Sequence, residues 1–261
     1  MPILERNDKG AVAHLHMNAP DSLNALSEEM LSALQGQFDA LMDDTSIRAV
    51  ILSGAGKAFC AGHHLKQMTA GRQAEDGGTA YFKDLLNRCK TMMLSIQALP
   101  QPVIAKVHGI ATAAGCQLVA TCDLAIAAED TRFGVNGVNI GLFCSTPMVA
   151  LTRNIARKQA FEMLTTGKFI NAARAEHLGL INRSVPTNQL DAETEELAGV
   201  LVEKLGSAVK IGKRAFYEQL QMPVDQAYDF TSDVIVENLL HRDTIEGIAA
   251  FIDKRTPDWS Q

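Results

Sequence analysis

The chain has 261 residues, 47% of them hydrophobic and 21% charged, with a formal net charge of -6. That length suffices for one large soluble domain, alone or with an appendage. The acidic balance argues against a nucleic-acid partner, because no basic excess is present to neutralise phosphates; a phosphorylated small molecule needs only a local basic cluster. The cysteines, Cys60, Cys89, Cys116, Cys122 and Cys144, are odd in number and unpaired in spacing. They read as reduced core residues rather than a disulfide frame or a zinc site, and the expected metal content is none. Charges arrive within the first ten residues with no apolar stretch behind them. The expected location is therefore cytoplasmic, and no run is long enough to span a bilayer.

Residues 3–6 and 11–17 read as two strands joined by the turn formers Asn7, Asp8, Lys9 and Gly10. Ser27 is placed to cap a helix, with Glu28 and Glu29 in its first turn and Met30, Leu31, Leu34, Phe38, Leu41 and Met42 at helical spacing. Residues 49–52 form a short buried strand ending in Ser53-Gly54-Ala55-Gly56. Residues 69–78 are polar and glycine-rich and read as a mobile loop. Residues 81–99 read as a long helix stopped by Pro100 and Pro102. A strand over 103–107, a helix over 116–121 and a strand over 124–128 complete an α/β core. From Thr146 onward the pattern is helical, over 191–205, 208–220, 224–240 and 243–251, with 180–185 as a short apolar exception. The expected division is a core over 1–200 and a helical region over 201–261.

The stretch Val103 to Asp123 carries the strongest chemical signal. A β-branched run ends at Gly109, the side-chain-poor segment Ala111-Thr112-Ala113-Ala114-Gly115 follows, and a helix begins. The first N–H groups of a helix lack internal partners and its dipole favours negative charge there. Small residues let a ligand oxygen approach those groups, so an oxyanion site is plausible. Close helix–sheet packing explains one such stretch equally well. A second stretch changes the balance: residues 56–68, GKAFCAGHHLKQM, also follow a strand and also carry a small triplet, Cys60-Ala61-Gly62. Two strand-end loops can grip one carbonyl oxygen from two directions.

Together these motifs resemble the crotonase, or enoyl-CoA hydratase/isomerase, family. The residues that carry the resemblance are Asn24-Ala25-Leu26, Lys57 to Gly62 with Leu65-Lys66, and Gly109 through Cys116. Cys122-Asp123, Phe133-Gly134, Gly141 and the tail Phe251 to Pro257 carry it further. Finer features, Ala113 to Leu118 and Gly137 to Pro147, are similar to one subgroup of that family. The resemblance implies an α/β crotonase-like spiral of repeated β-β-α units with a C-terminal helical trimerisation region. It implies a homotrimer, or a hexamer built as a dimer of trimers. It implies an acyl-CoA thioester as ligand, with coenzyme A part of the substrate and no separate cofactor. The thioester oxygen would sit between the backbone N–H groups of His63 and Ala114. Ala25, Ala61, His64, Leu65, Lys66 and Gly115 would line the coenzyme A path, with Lys254 reaching its phosphates from the tail.

Hydratases of that family use two glutamates, and here those positions hold Gln117 and Gly137. An amide orients a water but cannot shuttle a proton, and glycine contributes no side chain. General acid–base groups are worth roughly 10²–10⁴-fold each, so ordinary hydratase turnover should be severely slowed. Candidate substitutes are the His63 ring, Cys144, Asn139, and Glu75 or Asp76 on the glycine-rich loop. The space at Gly137 could also admit an external carboxylate. Asp123, between a helix and a strand, is expected to be structural. The function expected is processing of acyl-CoA thioesters by a hydratase-like lyase. The alternatives are a non-catalytic acyl-CoA binder or different chemistry such as decarboxylation.

Overall fold

In the computed structural model, which describes residues 1–259, the chain begins with β1 (Leu4–Lys9) and β2 (Val12–Met17). There follow α1 (Glu28–Met42), β3 (Ala49–Gly54), α2 (Leu65–Gly71), α3 (Thr79–Ala98) and β4 (Val103–Val107). Next come β5 (Ile110–Thr112), α4 (Ala114–Thr121), β6 (Leu124–Ala128), β7 (Arg132–Gly134) and a 3-10 turn (Asn136–Ile140). The remainder is α5 (Ser145–Asn154), α6 (Arg157–Thr166), β8 (Ile170–Asn171), α7 (Ala172–Leu178) and β9 (Arg183–Val185). It closes with α8 (Leu190–Val202), α9 (Gly206–Gln219), α10 (Val224–Leu239) and α11 (Arg242–Ile252).

A main sheet runs in the order β1-β2-β3-β4-β6-β9, antiparallel only at β1–β2. Its central strand β3 is buried along its whole length, as expected for a parallel strand covered on both faces. Leu15, Val50, Leu52, Val103 and Ala105 pack with α1, α3 and α4 residues such as Leu34, Phe38, Met92 and Leu118. Ile51 and Ile104 point the other way, into a smaller cluster closed by Ala198 of α8. A second sheet, β5-β7-β8, stands beside the first.

Two features differ from the sequence reading. The segment expected as a mobile loop over 69–78 is helical as far as Gly71, because the His64 ring accepts from the Gln67 N–H at 3.3 Å and caps α2. Gln67 is itself pinned to the start of α1, accepting from the Glu28 N–H at 3.0 Å and donating to Glu29. Beyond it, the Asp76 carboxylate accepts from the N–H groups of Gly78 and Ala80 at 2.9 and 2.8 Å and fastens the start of α3. Those donors hold its pKa below the ordinary aspartate value, so it is a committed carboxylate rather than a swinging acid. The segment expected as a bare loop after β4 contains β5, which pairs in parallel with β7.

All five cysteines are buried and free. Asp123 has the structural role expected of it. Its carboxylate accepts from the Val103 N–H at 2.6 Å, the buried Lys213 ammonium at 2.6 Å and the Tyr217 hydroxyl at 2.7 Å. Lys213 also donates to the carbonyls of Ile96 and Gln101. This cluster ties α9 to the ends of α3 and β4.

Candidate active site

β3 and β4 are parallel neighbours in register, Val50 opposite Val103 and Leu52 opposite Ala105. Parallel strands deliver their exit loops to the same edge of a sheet, where ligands of α/β proteins bind. The pairing continues beyond the strands. Cys60 bridges Ala111, with the Cys60 N–H donating to Ile110 and the Thr112 N–H to Cys60. The two motifs read from the sequence are thus stitched side by side.

A third segment clamps them. Leu26 bridges His63, the Leu26 N–H donates to Gly62 at 2.8 Å and the Ala61 N–H to Leu23 at 3.0 Å. Buried Asn24 is the hub. Its amide donates to the carbonyls of Ala55 and Ala58 at 2.8 Å each, and its oxygen accepts from the Ala19 N–H at 2.9 Å. Asn24 adopts φ 52, a left-handed conformation that asparagine tolerates better than most residues. Its place in the motif Asn24-Ala25-Leu26 is explained by conformation and hydrogen bonding together.

At the junction the backbones nearly touch. A Cβ on Gly115 would lie 2.1 Å from the Cys60 carbonyl oxygen, which leaves no alternative to glycine. Gly62 has φ +87, and a Cβ there would stand 3.1 Å from the Ala114 nitrogen and 3.0 Å from the Ala113 Cβ. The space in front of the Ala114 N–H is kept open by the missing side chain of Gly62. Ala114 opens α4, whose eight residues are all buried. Among the described residues, neither the His63 N–H nor the Ala114 N–H donates to a protein acceptor.

Ala113, just before α4, has φ 50 and ψ -120. That conformation is costly for a residue with a Cβ and is held here by three hydrogen bonds. The Ala113 N–H donates to Gly134, the Gln117 N–H to the Ala113 carbonyl, and the neighbouring Thr112 N–H to Cys60. Sequence reasoning overlooked this strained residue; an alanine ahead of a helix with no capping side chain is its only local signal.

Gln117 and Gly137, the positions where the resemblance placed glutamates, differ sharply. Gln117 is 7% exposed, and its side-chain oxygen is buried without a hydrogen-bond partner. Gly137 lies in the 3-10 turn, and a Cβ there would meet the Leu142 carbonyl oxygen at 2.3 Å and the Cys144 sulfur at 2.9 Å. The Leu142 N–H returns to the Gly137 carbonyl at 2.9 Å. The chain folds over this position, so the expected vacancy for an external carboxylate is filled by the protein's own backbone. Cys144 does flank it, but burial raises the pKa of its thiol. Asn139 is turned toward Gly167, donating to its carbonyl at 3.4 Å. The Thr112 hydroxyl donates to Asn136 at 2.6 Å and links the first motif to the turn.

Of the residues expected along a coenzyme A path, Ala25, Ala61 and Gly115 sit within the clamped junction. His64, Leu65 and Lys66 continue from it into α2, with Leu65 and Lys66 exposed. Lys254 follows α11 in a left-handed conformation, φ 55, and among the described residues no hydrogen bond joins it to either loop.

A parallel sheet with a small second sheet, strand-exit loops meeting at one edge and trailing helices define a crotonase-type fold. The model of the enoyl-CoA hydratase/isomerase family matches residues 7–261, and the chain belongs to that family. It is similar over its whole length to the crystal structure of an enoyl-CoA hydratase from Mycobacterium smegmatis. The identity is 49%, the TM-score 0.96, and all of both chains is covered. The crystal structure of human enoyl-CoA hydratase domain-containing protein 3 superposes with a TM-score of 0.94 at 40% identity, covering 98% of this chain and all of that one. The Xenopus laevis protein of that name is 43% identical over 259 residues, 99% of this chain and 86% of the relative. This is the subgroup to which the features at 113–118 and 137–147 pointed.

The comparison also corrects the expected location. The Xenopus laevis relative is named as mitochondrial, as are those from Homo sapiens, Rattus norvegicus, Mus musculus and Danio rerio, which points away from the cytoplasm. Reduced cysteines and a charged start do not distinguish the cytosol from other reducing compartments. Among the described residues, no helix is long and apolar enough to cross a membrane.

Proposed function

We propose that this protein binds acyl-CoA thioesters and polarises their carbonyl between the backbone N–H groups of His63 and Ala114. The observation that carries the reading is the meeting of two unpartnered N–H groups on loops whose intervening side chain is deleted at Gly62. Donors fixed in advance stabilise the charge that develops on an oxyanion without reorganising. The α4 dipole adds to them, and negative charge accumulating on the thioester oxygen makes an enolate at Cα accessible. The exposed stretch at Leu65 and Lys66 extends from the junction as the path for pantetheine and phosphates, with Lys254 contributing a further cation.

Water addition requires a proton to be taken from the attacking water and a proton to be delivered to Cα. Gln117 cannot perform either transfer, and Gly137 is closed over by Leu142, so hydration is impaired at both positions. Enolate chemistry therefore fits this site better than ordinary hydration. The second reading, a binder without turnover, is favoured by that same closed position.

We further propose that the region 201–261 holds a homotrimer together. α10 contains no buried residue, and Val224, Tyr228, Ile235 and Leu240 are exposed along and just beyond it. Light scattering is expected to give a mass three or six times that of one chain.

Two measurements test the ligand and the reaction. Calorimetric titration with butyryl-CoA is expected to show binding below millimolar; no binding at that concentration overturns the reading of the junction. Crotonyl-CoA turnover, followed by loss of the conjugated thioester absorbance, is expected to be at least ~10²-fold slower than with a group that transfers protons efficiently. Turnover at ordinary hydratase rates would show that Gln117 and Gly137 are compatible with hydration.

A further inference from the structure

The fold treats the polar side chains around the junction differently. The Gln117 side-chain oxygen and both His63 ring nitrogens are sealed from water, so a ligand cannot reach them without moving the protein. Asn136, one residue before Gly137, is only half-buried. Its side-chain oxygen accepts from the Thr112 hydroxyl at 2.6 Å. That length suits an O–H···O bond, whereas N–H···O bonds are rarely shorter than about 2.7 Å, so the oxygen of the amide and not its nitrogen faces Thr112. The Asn136 Nδ2 group has no acceptor among the described residues, and it is not one of the sealed polar atoms.

Thr112 fixes where that amide stands. It ends β5, and its N–H donates to the Cys60 carbonyl at 3.0 Å. Its own carbonyl oxygen lies 3.1 Å from the point where a Gly62 Cβ would be, the same distance as the Ala114 nitrogen. The gap that uncovers the Ala114 N–H is thus bordered by Thr112, and the Thr112 hydroxyl holds Asn136. The Gly134 carbonyl accepts from the Ala113 N–H at 2.9 Å, which keeps the segment leading to Asn136 against the start of α4. The result is a carboxamide NH2 held beside the backbone donors, open to solvent and without an acceptor.

We propose that Asn136, oriented by Thr112, selects acyl-CoA thioesters whose acyl group carries a hydrogen-bond acceptor of its own. The inference rests on the acyl-CoA reading of the junction and deepens it by naming the substrate class. A ligand that settles here displaces water from Nδ2, and that loss is recovered only if the ligand brings an acceptor. An oxygen on the acyl group does so, whereas a plain alkyl chain leaves the donor unpaired. A site built to hydrogen-bond a substrate oxygen discriminates against the analogue that lacks it. Asn136 takes no part in proton transfer, since an amide does not titrate in the working range; its contribution is to binding. Thr112 is a positioning residue that acts through Asn136.

The experiment is calorimetric titration with acetoacetyl-CoA and butyryl-CoA, which share a carbon skeleton and differ in the 3-oxo oxygen. The wild-type protein is expected to bind acetoacetyl-CoA about fivefold tighter or more, the worth of one added hydrogen bond. Asn136→Ala is expected to bring the two affinities to within about twofold of each other. Asn136→Asp keeps the shape but presents only oxygens, and is expected to reverse the preference. Thr112→Val keeps the shape and frees the amide, so part of the preference should be lost. Thr112→Ser restores the hydroxyl and should recover it, which a side chain needed only for packing would not do. Equal wild-type affinities overturn this proposal and leave the acyl-CoA reading standing; absence of binding by both ligands overturns that reading itself. A preference that survives unchanged in Asn136→Ala also overturns the assignment, because the backbone donors then account for it. Should Asn136→Ala fail to fold, Asn136→Asp decides the matter.

Discussion

The start of α4 and the 3-10 turn at Asn136–Ile140 hold Gln117 and Gly137, the two positions where the resemblance placed the family's glutamates, and their surroundings differ. At Gln117 the fold accommodates a long side chain, an amide with a buried unpartnered oxygen. At Gly137 the backbone itself has closed, since the Leu142 carbonyl stands 2.3 Å from where a Cβ would be. A long side chain is accommodated at the first position, and even a Cβ is crowded at the second. The difference shows that a missing functional group and a backbone that crowds out any side chain are separate obstacles.

Five substitutions test that contrast, and the largest effect falls at the junction. Gly115→Ala forces a Cβ against the Cys60 carbonyl and is expected to cost about 3 kcal/mol or more in denaturant unfolding, because both contacting groups are backbone. A loss under about 1 kcal/mol would show that the loops part easily. Gly137→Ala should cost about 2 kcal/mol by the same measurement, from collision with Leu142 and Cys144. In Gly137→Glu, no rise in crotonyl-CoA turnover is expected; a clear rise would mean that the turn opens and that the two positions are equivalent after all.

Gln117→Leu removes the unpartnered buried oxygen at similar volume and is expected to raise stability by about 1 kcal/mol. A decrease would indicate that the amide has a partner in solution, such as an ordered water. Ala113→Gly is expected to give the smallest change, a gain of about 0.5 kcal/mol. Relief of the φ 50 conformation is partly offset by the greater freedom of glycine in the unfolded chain. A loss of more than about 1 kcal/mol would argue against strain at this position.

Much of the site was legible because its signals are local. β-branched runs, small residues after them and a helix beyond are set by neighbours within a few positions, so both loops and their strands could be read directly. The Ser27 cap of α1 was legible for the same reason, and the structure shows the Ser27 hydroxyl accepting from the Met30 N–H. The helix at Leu65–Gly71 was missed because its cap is a histidine and its stabilising partners, Glu28 and Glu29, lie far back in the chain.

By itself, the sequence of this protein determined the α/β class, the two strand-exit motifs and the absence of a carboxylate at 117 and 137. These follow from residue identity and short-range pattern. Only the tertiary structure decided that Gly62 leaves the Ala114 N–H uncovered, that both His63 ring nitrogens are buried, and that Leu142 closes over Gly137. It also decided that Asp123 is neutralised by Lys213, 90 residues further along. Each of these depends on which backbone or charge is delivered to a point by a distant part of the chain, and no local preference encodes that.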